Sequence, residues 1–182
     1  IADLIISDNQ GIEDYLKAEY GDVASTVIAY GTNPVARDSE IDTTWFDAQG
    51  VKLKDYYLVV GRFVPENNYE AIIRNFMASD TTRDLVIITN HQGNPYFDKL
   101  REITGFEQDK RVKFVGTVYN KKTLTAIRQQ AFAYIHGHAV GGTNPGLLEA
   151  MGATDLNLVY DVSFNRNVAL DSALFWQLDN LT

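Results

Sequence analysis

Glu149 and Arg62 stand out because each lies just beyond an apolar run that turns abruptly into a loop. Glu149 belongs to His136-Gly137-His138-Ala139-Val140-Gly141-Gly142-Thr143-Asn144-Pro145-Gly146-Leu147-Leu148-Glu149-Ala150-Met151, which reads as strand, small-residue loop and helix. Asn144 is a good N-cap and Pro145 a good first helical residue. Gly141 and Gly142 carry no side chain where a ligand must approach backbone N–H groups. Those groups and the helix dipole favour an anion, and a diphosphate is the anion expected. Glu149 sits roughly 7 Å along that helix at 1.5 Å per residue, about the reach from a diphosphate to a ribose, whose hydroxyls a carboxylate accepts. A plainer account also fits: glycines end a strand, Asn-Pro caps an ordinary helix and Glu149 is solvated. No Gly-Lys-Ser/Thr follows and the glycines are not spaced GxGxxG, so the triphosphate and dinucleotide fingerprints are absent.

The second constellation is Leu58-Val59-Val60-Gly61-Arg62-Phe63-Val64-Pro65-Glu66-Asn67-Asn68. An arginine at a strand's C-terminal end stands where ligands of doubly wound sheets bind, and its guanidinium can clamp phosphate oxygens and offset leaving-group charge. Taken alone, an arginine there is more often a member of a surface ion pair, and its value comes from the partner motif. His136 and His138, two apart on a strand, could face one way as a metal pair, but no third ligand has a convincing spacing, and polar lining of a pocket is the expected role. Glu66 reads as a helix-start carboxylate, His91 as a loop residue, and Tyr96 and Phe97 as the packed entrance of an amphipathic helix.

These residues need elements to hold them. Apolar, β-branched runs recur at Leu4 to Ile6, Thr26 to Tyr30, Tyr56 to Val60, Leu85 to Thr89, Val112 to Val115, Phe132 to Ile135 and Leu156 to Tyr160, and read as buried strands. Between them, Tyr69, Ile72, Ile73, Phe76 and Met77 form one helical stripe, with weaker versions at Ile12, Tyr15 and Leu16 and at Leu124 and Ile127. Strands that are apolar throughout and alternate with helices predict an α/β fold: a doubly wound parallel sheet covered on both faces. The polar, turn-rich stretch from Gly31 through Gly50 separates the first two strands from the rest.

Composition narrows the partners. With 16 Lys+Arg against 24 Asp+Glu the net charge is -8, which disfavours nucleic acid and anionic lipid surfaces. Zero cysteines exclude disulfides and thiolate chemistry. No apolar stretch approaches a membrane span, and the start Ile1-Ala2-Asp3 carries no signal-peptide pattern, so the chain reads as a fragment.

Gly61-Arg62-Phe63-Val64-Pro65-Glu66-Asn67-Asn68, Val112-Lys113-Phe114-Val115-Gly116 and the Gly141 to Met151 segment resemble, in order and spacing, the C-terminal Rossmann-like domain of retaining GT-B glycosyltransferases of family four. The likeness is strongest to bacterial rhamnosyltransferases of capsule and exopolysaccharide assembly, which share Gly-Gly-Thr-Asn-Pro before Leu-Leu-Glu-Ala-Met. It implies that residues 1–33 end an N-terminal domain, 34–54 link, and 55–182 bind a nucleotide sugar. It further implies that Arg62 is the catalytic cation on the donor diphosphate, that Gly142, Thr143 and Asn144 donate to it, and that Glu149 holds the ribose. Gly116 and Val118 would flank the base, while Gly61, Asn67 and His138 would line the donor pocket. Two positions depart from the broader family: Gly141 replaces a glutamate eight residues before Glu149, and Asn67 replaces a lysine five residues after Arg62. The resemblance implies no resident cofactor and no metal, a donor that is dTDP-rhamnose or else a UDP-sugar, and a saccharide or lipid-linked acceptor held by the missing domain. It implies a cytoplasmic enzyme, with room for peripheral association at the inner face of the membrane. A GT-B nucleotide-sugar epimerase, which needs carboxylates near the sugar, and a noncatalytic Rossmann-like module are the rival readings.

Overall fold

The computed structural model describes residues 3–33, 35–36 and 40–181. Arg37, Asp38 and Ser39 of the expected linker, and the terminal Ile1 and Ala2, lie outside them. The chain runs β1 (Ile5–Ser7), α1 (Gln10–Tyr20), β2 (Ser25–Val27), α2 (Thr44–Gln49), β3 (Tyr56–Val60), α3 (Tyr69–Ala78), β4 (Asp84–Ile88), α4 (Pro95–Thr104), β5 (Val112–Gly116), α5 (Lys121–Gln130), β6 (Ala133–His136), α6 (Pro145–Met151), β7 (Asn157–Tyr160), α7 (Ser163–Ala169) and β8 (Leu174–Trp176). Strands β1 and β2 pair parallel in a sheet of their own. The other six form one parallel sheet in the order β5-β4-β3-β6-β7-β8, the Rossmann order, which reverses direction between β3 and β6.

Both faces of this sheet are covered, and so the strands are apolar throughout rather than alternating. Val59, Leu85, Ile87 and Ile135 point to one face, where they meet Tyr69, Ile72, Ile73 and Phe76 of α3 and Leu100 of α4. Tyr56, Leu58, Val86, Ile88 and Tyr134 point to the other, against Ile127 of α5 and Ala150 of α6. Each such fully buried Ile, Leu or Phe contributes about 1.5–3 kcal/mol.

Several elements differ from expectation: the runs at β1 and β2, read as buried strands, leave Ile6 61% and Ile28 60% exposed, and β8 has no counterpart among the expected strands. Part of the stretch read as linker belongs to the domain: α2 places Phe46 (1% exposed), and Val51 follows it, in the core beside Tyr56. On α1 the apolar stripe is only partly covered, Tyr15 being 60% exposed and Ile12 and Leu16 half-buried, while Glu13 is buried and accepts a hydrogen bond from Ser25 Oγ at 2.7 Å. Helix α1 packs on α7. Among the described residues no helix is long and apolar enough to cross a membrane.

Candidate functional site

At the C-terminal edge of β3 and β6, where the strand order reverses, a cavity of about 230 Å³ opens between the loops that follow the two strands. Its wall holds Gly61, Arg62, Asn67, Tyr69, Arg128, Tyr134, His136, Gly137, His138, Asn144 and Gly146. This is the edge at which open α/β sheets bind ligands.

The loop after β3 is anchored before it reaches the cavity. Phe63 is buried, with ring centroids 4.8 Å from Tyr69 and 5.0 Å from Tyr96, and Asn94 Nδ2 donates to its carbonyl at 3.0 Å. Arg62, one residue earlier, is exposed at the rim. A 3-10 turn at Pro65–Asn67 then brings the chain against the loop after β6. There Ala139 N–H donates to the Glu66 carbonyl (2.9 Å) and Asn68 Nδ2 to the Gly137 carbonyl (2.9 Å). Glu66 is an exposed residue of that turn and does not line the cavity.

Asn67 couples the two motifs. Its Nδ2 donates to the Arg62 carbonyl at 2.7 Å, which turns Oδ1 toward His138 Nδ1 at 2.8 Å. A carboxamide oxygen only accepts, so the proton of neutral His138 is assigned to Nδ1, leaving Nε2 as an acceptor. The pKa of His138 is lowered, first by burial and then by the Arg62 cation. His136 follows the same pattern more deeply. Tyr134 O–H donates to the Val60 carbonyl (3.2 Å), so its oxygen accepts from His136 Nδ1 (3.4 Å), and His136 Nε2 is buried with no partner among the described residues. Burial drives the His136 pKa down to about 3, with the neighbouring His138 adding to the shift. Both rings are therefore neutral acceptors near pH 7, with centroids 6.2 Å apart. Together with Arg62 and Arg128 they make a wall suited to an anion that also carries hydroxyl groups. Among the described residues no carboxylate lines it.

Helix α6 begins as expected: Asn144 Oδ1 accepts from Gly146 N–H at 2.8 Å and Pro145 holds the first helical position. The loop before it differs. Gly141 takes the left-handed φ of +100°, and Gly142 faces the Asp8 carboxylate and Ile12 rather than the cavity. Thr143 N–H donates to Asp8 Oδ2 (3.0 Å) and its hydroxyl to the Asp8 carbonyl (2.9 Å). An internal carboxylate thus occupies the Thr143 donor expected for the diphosphate. Asp8→Ala should raise the hydrogen-exchange rate of the Thr143 amide about tenfold, since a hydrogen bond to a charged group contributes roughly 1.5 kcal/mol or more; an unchanged rate would show that Asp8 does not hold the loop.

Of the residues singled out by sequence, Gly61, Arg62, Asn67, His138 and Asn144 line the cavity, whereas Gly116, Val118, Gly142, Thr143 and Glu149 do not. Gly116 closes β5, two strands from β3, and Val118 packs under the core beside Leu124. Glu149 is half-exposed, and its Oε2 is bound to Arg128 Nη2 at 2.7 Å. Sequence reasoning missed Arg128, which is 6% exposed. Its signal was present, since Leu124, Ile127 and Arg128 share the i, i+3, i+4 stripe that faces the core.

A family model described as a domain of unknown function, DUF1972, matches residues 1–33. No curated protein matches the chain. Among solved structures, a glycosyltransferase from Rickettsia africae ESF-5 superposes with a TM-score of 0.79 at 11% identity, over 97% of this chain and 50% of that one. HepE of Anabaena, in complex with UDP and glucose, gives 0.81 at 15%, over 100% and 52%. Sucrose-phosphate synthase of Thermosynechococcus elongatus gives 0.74 at 18%, over 99% and 46%. The chain spans about half the length of these structures. At such identities the likeness is one of fold, the Rossmann-like domain found in GT-B glycosyltransferases.

Proposed function

We propose that this chain is the donor-binding half of a glycosyltransferase that takes a nucleoside-diphosphate sugar. The observation that carries the reading is the cavity at the strand-order reversal, which joins Arg62, and an Arg128 already paired with Glu149, to two neutral histidine acceptors. Arg62 at its rim is the group assigned to the diphosphate, where a fixed cation offsets the charge that builds on the leaving group. The histidine Nε2 atoms are assigned to sugar hydroxyls and Asn144 to the diphosphate. Solved structures of the same fold hold UDP, or UDP and glucose, which supports a nucleotide-sugar ligand. The Gly-Gly-Thr-Asn-Pro loop favours dTDP-rhamnose as donor, with a UDP-sugar next, and retention at the anomeric carbon. Gly116 and Val118 are assigned to the base, and Gly142 and Thr143 to the diphosphate once Asp8 withdraws. The acceptor, a saccharide or lipid-linked saccharide, would be held by a second domain at the cytoplasmic face of a membrane, and the reading calls for no resident cofactor. An epimerase would need acids beside the sugar, and the carboxylate-free wall disfavours it.

Titration of the chain with UDP, dTDP, GDP and NAD by calorimetry tests this. UDP or dTDP should bind in preference to NAD, and Arg62→Ala should weaken that binding about tenfold, the loss of one charge-assisted contact. Equal affinity for all four, or an Arg62→Ala variant that binds as the parent does, would sink the reading.

A further inference from the structure

A buried guanidinium is expensive unless a carboxylate meets it in good geometry. Arg128 is 6% exposed at the end of α5, and its Nη2 meets Glu149 Oε2 at 2.7 Å. The helix end that carries it is fixed from two sides: Thr154 Oγ1 donates to the Arg128 carbonyl (2.9 Å), and Tyr56 O–H to the Ile127 carbonyl (2.5 Å). Arg128 therefore has little freedom, whereas Glu149, with its side chain 55% exposed, would sample several rotamers if left alone. The ion pair transfers the rigidity of the core to the carboxylate. One oxygen is committed to Arg128, and the other, Oε1, has no hydrogen-bond partner among the described residues. Arg128 itself lines the cavity, whereas Glu149, its ion-pair partner, stands outside that lining.

We propose that Arg128 is a positioning residue, which holds Glu149 so that its free oxygen accepts a hydrogen bond from a pentose hydroxyl of the nucleotide. The proposal rests on the nucleotide-sugar reading and deepens it. Removing rotamer freedom from an acceptor before the ligand arrives lowers the entropic cost of the contact. A purely structural ion pair makes a different forecast: its loss would lower stability and affinity for every nucleotide alike.

The discriminating quantity is the ratio of affinities of the chain for UDP and for 2′,3′-dideoxy-UDP, measured by calorimetry beside a thermal melt. In the parent chain UDP should bind about tenfold tighter, the magnitude of one hydrogen bond to a charged acceptor. Arg128→Met and Glu149→Gln should each bring the ratio to within about twofold, and the double variant should lose no more than either, as residues acting through one contact do. Arg128→Lys should restore part of the ratio. Should Arg128→Met fail to fold, Arg128→Gln, which keeps a donor in the buried space, takes its place. A folded Arg128 variant with the parent's ratio overturns the proposal, as does a parent chain that binds UDP without preferring it to the dideoxy analogue; both leave the nucleotide-sugar reading standing. A parent chain that binds neither UDP nor dTDP overturns that reading and the proposal with it.

Discussion

Gly137→Ala should lower the stability of the domain by about 3 kcal/mol, read as a shift of the urea midpoint, and should weaken whatever the cavity binds. A Cβ at position 137 would lie 2.2 Å from the Asn67 carbonyl oxygen and 2.9 Å from Ile72 Cδ1. The first of these is a backbone atom in the 3-10 turn, so relief requires that the turn move as a body. Moving it strains the three bonds that join the two loops: Asn68 Nδ2 to the Gly137 carbonyl, Ala139 N–H to the Glu66 carbonyl, and His138 Nδ1 to Asn67 Oδ1. Overpacking typically costs about 1–3 kcal/mol, and each strained hydrogen bond roughly another 0.5–1.5. Gly61→Ala is the milder comparison, because its Cβ would meet the far end of the Asn67 side chain at 3.2 Å, and turning that side chain aside disturbs only its bonds to Arg62 and His138 and leaves the backbone of the turn in place. A Gly137→Ala midpoint no lower than that of Gly61→Ala would show that the two loops are not locked together.

That lock explains which parts of the site were legible in the sequence. Strands β3, β4 and β6 could be read because burial on both faces demands apolar runs, β5 and β7 from shorter apolar stretches broken by Lys113 and Asn157, and α3 because its stripe is covered by the sheet. Edge strand β8 could not. Leu174 is 62% exposed and the strand has three residues, so neither pattern nor length marks it. Helix α2 was hidden by its polar surroundings, and the outward Tyr15 of α1 by an apolar spacing that no core in this chain rewards. Within the site, Arg62 and Asn144 were visible because strand ends and caps are local features. Arg128 depends on how α5 lies against α6. At the end of a helix an arginine ordinarily points to solvent, and the sequence does not show that Arg128 is buried, paired with Glu149 and set in the wall of the cavity. Asp8 lies further still from sequence reach, since its bond to Thr143 joins residues 135 apart.

Acid should destabilise the chain through His136, and the window follows from its pKa. Folded His136 titrates at about 3, against 6.5 for an exposed imidazole. Between those values the unfolded chain binds a proton that the folded chain refuses, so stability falls as pH falls below 6.5 and levels off near pH 3. From pH 6.5 to pH 4 the expected loss is about 3 kcal/mol, because each pH unit inside the window is worth 1.36 kcal/mol. The cause is structural: the ring lies under the cavity with Nδ1 engaged by Tyr134, and no carboxylate among the cavity-lining residues compensates an imidazolium there. His138 has its own lowered pKa and adds to the slope of the parent, so the comparison must be with His136→Met, which keeps His138. Urea unfolding of both proteins from pH 7 to pH 4 gives the difference directly. The parent should lose about 3 kcal/mol more than His136→Met over that range. Parallel pH profiles would mean that His136 is solvated in solution and charges freely. Its neutrality would then no longer be enforced by burial, and the acceptor held neutral across this pH range would have to be sought at His138.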